Sequence, residues 1–182
     1  MTTNTAKGRL EDRRWPGGSG NGPLNGAEGI LIIRDLDMGH AEQDTVPAIY
    51  LHEVTVAGED IDRQGHVNNL VYVRWMQEAG MAHSSAQGWT PERYEAAGIG
   101  WVAKSHHIEY VKPAFAGEQV VVRTWVADFK RATSVRRYRI LRPADDTLLA
   151  VAETHWAFVK LATGSPLRIP PEVLECFEVA RE

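Results

Sequence analysis

One stretch of the chain, residues 59–78, gathers residue types that acyl-transfer chemistry uses. It reads Glu-Asp-Ile-Asp-Arg-Gln-Gly-His-Val-Asn-Asn-Leu-Val-Tyr-Val-Arg-Trp-Met-Gln-Glu. Asp62 could serve as a nucleophile or a general base, and His66 could contact the substrate or a water molecule. A helix beginning near Asn69 would add unpaired N–H donors for an oxyanion, and Gly65 would let a substrate approach the backbone closely. The same residues could instead form only a well-capped helix entrance, so both interpretations remain open at this point.

The residues after this loop predict one long amphipathic helix. Asn68 or Asn69 can cap it, because an asparagine side chain accepts a hydrogen bond from the first helical turn. Gly88 is a typical stop signal. Apolar residues recur at helical spacing on one face: Val71, Tyr72, Trp75, Met76, Ala79, Ala82, His83 and Ala86. A helix with one such face needs a broad apolar surface to cover it.

Strand-like segments supply that surface. They lie at residues 49–56, 101–111, 118–129, 134–141 and 148–161. Short polar turns between the later segments predict antiparallel hairpins. Thr90-Pro91 begins a short second helix, and Pro170-Pro171 begins a last one. The order predicts an α+β fold in which a sheet wraps the long helix, and the uncovered face of that sheet predicts a homodimer.

Composition sets limits on the organisation and the partners of the chain. At 182 residues it suits one domain, and the glycine-rich, unpatterned residues 1–46 predict a mobile extension before a domain at 47–182. The net charge of -4 argues against general nucleic-acid binding. A single cysteine fits a reducing compartment. Without an apolar run of membrane length or a secretory signal, we expect no membrane span and a cytoplasmic location.

The loop motif resembles a known family. Asp60-Ile-Asp62-Arg-Gln-Gly65-His66-Val is similar to the Asp-x-Asp-x-x-Gly-x-Val signature of hotdog-fold acyl-CoA thioesterases of the 4-hydroxybenzoyl-CoA type. The overlapping His-Val-Asn-Asn-x-x-Tyr resembles plant acyl-ACP thioesterases. Residues 108–118 also resemble the second strand and turn of the family, so the resemblance covers roughly 47–178. It implies a five-stranded antiparallel sheet around a central helix, assembly into dimers or tetramers, and hydrolysis of acyl thioesters without metal or prosthetic group.

The resemblance also implies roles for individual residues. By position, the catalytic carboxylate falls on Asp62, and the backbone N–H that polarises the thioester carbonyl falls near Asn69. The basic turn that contacts coenzyme A phosphates matches Lys130 and Arg131. The charge run that contains this turn extends to Arg142, and its other members are expected to be a solvated face.

Further positions carry weaker assignments. The catalytic histidine of the plant enzymes matches His66, but their asparagine falls on Gln64, which departs from that pattern. His66 could therefore take part in the chemistry or only hold the loop. Tyr72 could belong to the core or line the acyl pocket. Some hotdog thioesterases carry the carboxylate on the central helix, which makes Glu78 the reserve candidate. Asp60 is expected to be structural.

Two other functions remain as alternatives. A non-catalytic acyl-CoA-binding hotdog protein would keep the groove and lose the carboxylate, whereas Asp62 favours an enzyme. A hotdog hydratase or dehydratase would carry a Gly-His-Phe-Pro motif, but His66 is followed by Val-Asn-Asn. The histidines in the strands lack the spacing of metal ligands, and no cofactor is predicted apart from coenzyme A as part of the substrate. The carrier could be coenzyme A or acyl carrier protein.

Overall fold

The computed structural model describes residues 47–180, and the predicted extension at 1–46 lies outside the described residues. A five-stranded sheet packs against one long helix. The strands are β1 (Ile49–Thr55), β2 (Ile99–Tyr110), β3 (Gln119–Phe129), β4 (Thr133–Arg142) and β5 (Thr147–Lys160). The α-helices are α1 (Asn69–Ala86), α2 (Pro91–Ala96) and α3 (Pro171–Leu174), and a short 3-10 turn spans Gly58–Asp60.

The sheet has the order β1-β3-β4-β5-β2, and every neighbouring pair is antiparallel. β3, β4 and β5 follow one another through the short turns expected from the sequence, whereas β1 and β2 form the two edges. Each predicted strand is present with bounds that differ by one or two residues from the expected ones. The hotdog architecture predicted from the sequence is therefore confirmed.

Helix α1 owes its position to its apolar face. Trp75, Met76 and Ala79 are fully buried, and Tyr72 is buried with them against the inner face of the sheet. At ~25 cal/mol per Å² of buried apolar surface, a few side chains of this size supply several kcal/mol toward holding the helix in place. The core that they form lies directly beneath the start of α1. The loop that precedes the helix is consequently anchored at a defined place.

Two further observations concern residues 47–180 only. None of their helices is long and apolar enough to cross a membrane. They also contain no group of three or more His, Cys, Asp and Glu side chains placed to hold a metal ion.

Candidate active site

The loop before α1 is a tight hairpin whose shape depends on Gly65. The Gly65 N–H donates to the Asp62 carbonyl at 3.0 Å, and the Asp62 N–H donates to the His66 carbonyl at 2.9 Å. Gly65 has a φ of 84°, a conformation that other residues adopt only with strain. A Cβ at Gly65 would meet no atom within 4 Å. The backbone conformation, rather than crowding, therefore accounts for glycine here, and it sets Asp62 and His66 side by side.

The Asp62 carboxylate has one oxygen committed to the turn and one that faces His66. Oδ1 accepts the Gln64 backbone N–H at 2.7 Å. Oδ2 lies 3.7 Å from His66 Nδ1, and the Asp62 side chain is 23% exposed. The same His66 nitrogen lies 3.3 Å from the Val67 carbonyl, to which it can donate when protonated. Asp62 thus combines a fixed position with an oxygen that a reactant can reach.

The start of α1 offers an open hydrogen-bond donor. Asn68 is the cap, and its side-chain oxygen accepts the Leu70 N–H at 2.9 Å. Asn69 is the first helical residue, and among residues 47–180 its backbone N–H has no acceptor. A free N–H at a helix N-terminus lies at the positive end of the helix dipole. The Asn69 carbonyl, by contrast, accepts from the Tyr110 hydroxyl at 3.1 Å, which ties the helix start to the end of β2.

A small pocket of about 210 Å³ opens at this helix start. Its walls are His66, Val67, Asn69, Tyr72, Tyr110, Val111, Lys112 and Pro113. Three predicted site residues, His66, Asn69 and Tyr72, therefore lie together in this pocket. Asp62 is not in its wall but lies beside His66. Burial raises the pKa of Tyr72 to about 12, so its hydroxyl stays protonated and can only add a neutral hydrogen bond.

Two further acids of the segment, Asp60 and Glu78, are engaged with Arg74. Asp60 is buried, and its carboxylate accepts the Ala57 N–H at 3.1 Å and pairs with Arg74 Nη2 at 2.8 Å. These contacts fit the structural role expected for Asp60. Glu78, the reserve carboxylate, lies 3.6 Å from Arg74 Nε on the exposed flank of α1.

Lys130 and Arg131 occupy the exposed turn between β3 and β4. β3 begins beside the loop end of the molecule, where the Val56 N–H donates to the Glu118 carbonyl. Its 11 residues then run away from that end. At ~3.3 Å per residue, this places the basic turn roughly 35 Å from the start of β3. Within this chain, the basic turn and the Asp62 loop therefore lie at opposite ends of the sheet.

Sequence reasoning missed a second and larger pocket, of about 710 Å³. It lies against the face of α1 that is opposite the apolar stripe, where Gln77, Gly80, Met81 and Ser84 form one wall. The small residues Gly80 and Ser84, one helical turn apart, were the available signal that something approaches α1 there.

A five-stranded antiparallel sheet packed against one long helix is the arrangement of a hotdog protein. The profile of the thioesterase-like superfamily matches residues 56–177. The chain belongs to this family. YneP of Bacillus subtilis (strain 168), a candidate acyl-CoA thioesterase, is 28% identical over 103 residues, which are 57% of this chain and 75% of YneP. The family match and this relative confirm the predicted enzyme class, acyl-CoA thioesterase.

Solved structures agree with the fold. A DHNA-CoA thioesterase from Staphylococcus aureus superposes with a TM-score of 0.66 at 25% identity, covering 70% of this chain and 87% of that one. Slr0204, a 1,4-dihydroxy-2-naphthoyl-CoA thioesterase from Synechocystis, gives a TM-score of 0.66 at 19% identity, with 70% and 94% covered. At that lower identity, the second match supports the fold alone.

Proposed function

We propose that the protein hydrolyses an acyl-CoA thioester to a free acid and a thiol, using Asp62 and the N-terminus of α1. The observation that carries this proposal is the open Asn69 N–H at the helix start, in a pocket that adjoins the Asp62 carboxylate through His66. Such a donor suits the oxygen of a thioester carbonyl, on which negative charge builds during attack. Removal of one oxyanion donor typically lowers the rate by ~10²–10³-fold.

Asp62 Oδ2 has two chemically balanced roles. As a nucleophile it attacks the carbonyl carbon, expels the coenzyme A thiolate and forms a mixed anhydride, which water then hydrolyses. As a general base it takes a proton from water while that water attacks the carbon, and the proton passes to the leaving thiolate. His66, 3.7 Å from Oδ2, orients the carboxylate in either case. A single turnover in isotopically labelled water separates the two, because only the nucleophile route can leave label in Asp62.

The proposed active form is a homodimer joined through β2, as a pair or within a tetramer. β2 is a 12-residue edge strand, and its Val102 and Tyr110 side chains are 50% and 43% exposed. A long, exposed edge strand offers unpaired backbone groups with which another strand can pair. Two-fold pairing would be antiparallel, so the Ile99 end of one copy would meet the Tyr110 end of the other. Tyr110 contacts Asn69, so that arrangement supports a site completed by the second copy.

The same pairing would give Lys130 and Arg131 a role. Phe129, which precedes their turn, packs against Trp101 near the start of β2. The basic turn of a second copy would then approach the Asn69 end of the first, within reach of coenzyme A phosphates. Replacing both basic residues with Ala should raise KM for acyl-CoA much more than for the matching acyl-pantetheine. An equal rise for both substrates would remove the phosphate role.

The proposed activity is tested by a thiol-release screen over short, long and aromatic acyl-CoAs and an acyl-ACP. We expect turnover of at least one acyl-CoA by the full chain. Failure to hydrolyse any thioester, together with tight binding of coenzyme A, would instead identify a non-catalytic binding protein. Faster turnover of the acyl-ACP than of the matching acyl-CoA would identify acyl carrier protein as the carrier.

A further inference from the structure

The large pocket is lined mostly by aromatic and aliphatic side chains. It lies between the second half of α1, helix α2 and the first residues of β2. Its main apolar walls are Trp89, Trp101, Phe129, Trp156, Leu161 and Phe177. A volume of about 710 Å³ is within the range of ~300–1,000 Å³ that is typical of small-molecule sites. The pocket therefore suits an apolar ligand of substantial size.

Two charged side chains line this apolar pocket: Glu95, which is exposed to solvent, and Arg136, which is buried. Arg136 is only 8% exposed. Its Nη1 donates to His83 Nδ1 at 3.0 Å and to Thr124 Oγ1 at 3.3 Å. No carboxylate of residues 47–180 lies within 4 Å of it, whereas Arg74, Arg137 and Arg142 all have acidic partners.

A buried donor beside Arg136 lacks an acceptor among residues 47–180. His83 accepts from Arg136 through Nδ1, so its proton is on Nε2, and this buried N–H has no partner among the described residues. The buried Tyr138 hydroxyl, by contrast, lies within interaction range of the Thr154 and Trp156 side chains. The Tyr138 and Arg136 side chains approach the same point, because a Cβ at Gly80 would lie 3.8 Å from the hydroxyl and 3.6 Å from Arg136 Cδ.

A buried guanidinium without a counter-ion is unfavourable, so its presence calls for a physical reason. Burial also lowers the pKa of Arg136. A carboxylate is the matching acceptor, because its two oxygens fit the parallel N–H groups of a guanidinium. The apolar walls match a hydrocarbon or aromatic body attached to that carboxylate.

We propose that this pocket binds an organic acid whose carboxylate pairs with Arg136 and whose apolar body contacts the surrounding aromatic side chains. Two sources share this chemistry. The acid group could be the far end of the acyl part of a substrate, a version that rests on the proposed function. It could instead belong to a free carboxylic acid, such as a hydrolysis product, which does not require that function.

Direct binding tests the shared chemistry without catalysis. Trp89, Trp101 and Trp156 line the pocket, so ligand entry should change the tryptophan fluorescence of the full chain. Titration of the wild type should give at least ~10-fold tighter binding of octanoate than of octanol, as expected for one charge-assisted pair. Arg136→Met should abolish this difference, and Arg136→Lys, which keeps the charge but not the fork, should reduce it. Arg137→Met, on the same strand but facing away and paired with Glu153, is the matched control and should behave as wild type.

Kinetics with matched thioesters distinguish the two sources. If the acyl tail carries the acid, kcat/KM for suberyl-CoA should exceed that for octanoyl-CoA by ~10-fold or more in the wild type but not in Arg136→Met. Arg136-dependent binding of octanoate without that kinetic preference would identify a free acid as the ligand. Such binding in a protein that hydrolyses no thioester would refute the proposed function and leave this inference standing. Equal affinity of the wild type for octanoate and octanol, with no suberyl preference, would overturn the inference.

Discussion

Acidification should destabilise the protein through His83, and the structure sets the size of the effect. His83 is 1% exposed, stacks on Tyr50 and lies 3.0 Å from the Arg136 guanidinium. Burial, reinforced by the Arg136 charge, lowers the pKa of His83 from its ordinary 6.5 to about 3. The folded protein therefore keeps this imidazole neutral at pH values where the unfolded chain protonates it.

The sign and the magnitude follow from proton linkage. Above pH 6.5 neither state binds the proton, so His83 adds no pH dependence there. Below that pH the unfolded state takes up a proton that the folded state refuses, and the free energy of unfolding falls by ~1.4 kcal/mol per pH unit. Between neutral pH and about pH 5 the loss amounts to ~2 kcal/mol, and it continues toward pH 3.

Urea unfolding at a series of pH values measures this loss. The wild type and His83→Gln should differ in the slope of the unfolding free energy against pH, with the variant losing ~2 kcal/mol less on acidification to about pH 5. His155→Gln removes an exposed imidazole that pairs with Glu153, and it is measured alongside as the surface control. Parallel pH profiles for the wild type and His83→Gln would refute the assignment of a buried, neutral histidine.

Substitutions at three further positions test the local architecture by urea unfolding. Asn68→Ala removes the acceptor of the Leu70 N–H and should lower stability by ~1 kcal/mol, and an unchanged value would contradict the capping role. Gly65→Ala should cost ~1–2 kcal/mol because φ is positive there, and Gly65→Asn should cost less; equal losses would argue against the left-handed conformation. Gly80→Ala should raise the free energy of unfolding by up to ~1 kcal/mol, because alanine favours a helix more than glycine does. The added Cβ would meet Arg136 at an ordinary contact distance of 3.6 Å. A large loss of stability would show that α1 and β4 pack more tightly there.

The elements of the fold were predictable because their signals are local. The helical spacing of Trp75, Met76 and Ala79 locates α1 and its buried face, and Asn68 marks its start. The alternation along the later segments locates the strands, since side chains of a strand point to opposite faces in turn. The position of the Asp62 side chain also depends on a local contact, because its carboxylate accepts the N–H of Gln64, only two residues further on.

The surroundings of Arg136 were not predictable in the same way. Its partner His83 is 53 residues away in the chain, and the two meet only because β4 lies beside α1 in the folded protein. In the sequence, Arg136 is one member of a charge run that suggests a solvated surface. Likewise, the separation of Lys130 and Arg131 from the Asp62 loop depends on the direction of β3, which composition and spacing do not reveal.

The effect of Asp62→Asn on thioester hydrolysis tests the central claim most directly. The amide oxygen of asparagine can still accept the Gln64 N–H, so the turn should persist while the carboxylate is lost. Glu59→Gln removes an exposed acid from the same loop and is the matched control. With the best acyl-CoA of the screen, we predict that kcat/KM falls by ~100-fold or more in Asp62→Asn and stays near the wild-type value in Glu59→Gln. Undiminished turnover by a correctly folded Asp62→Asn protein would contradict the account.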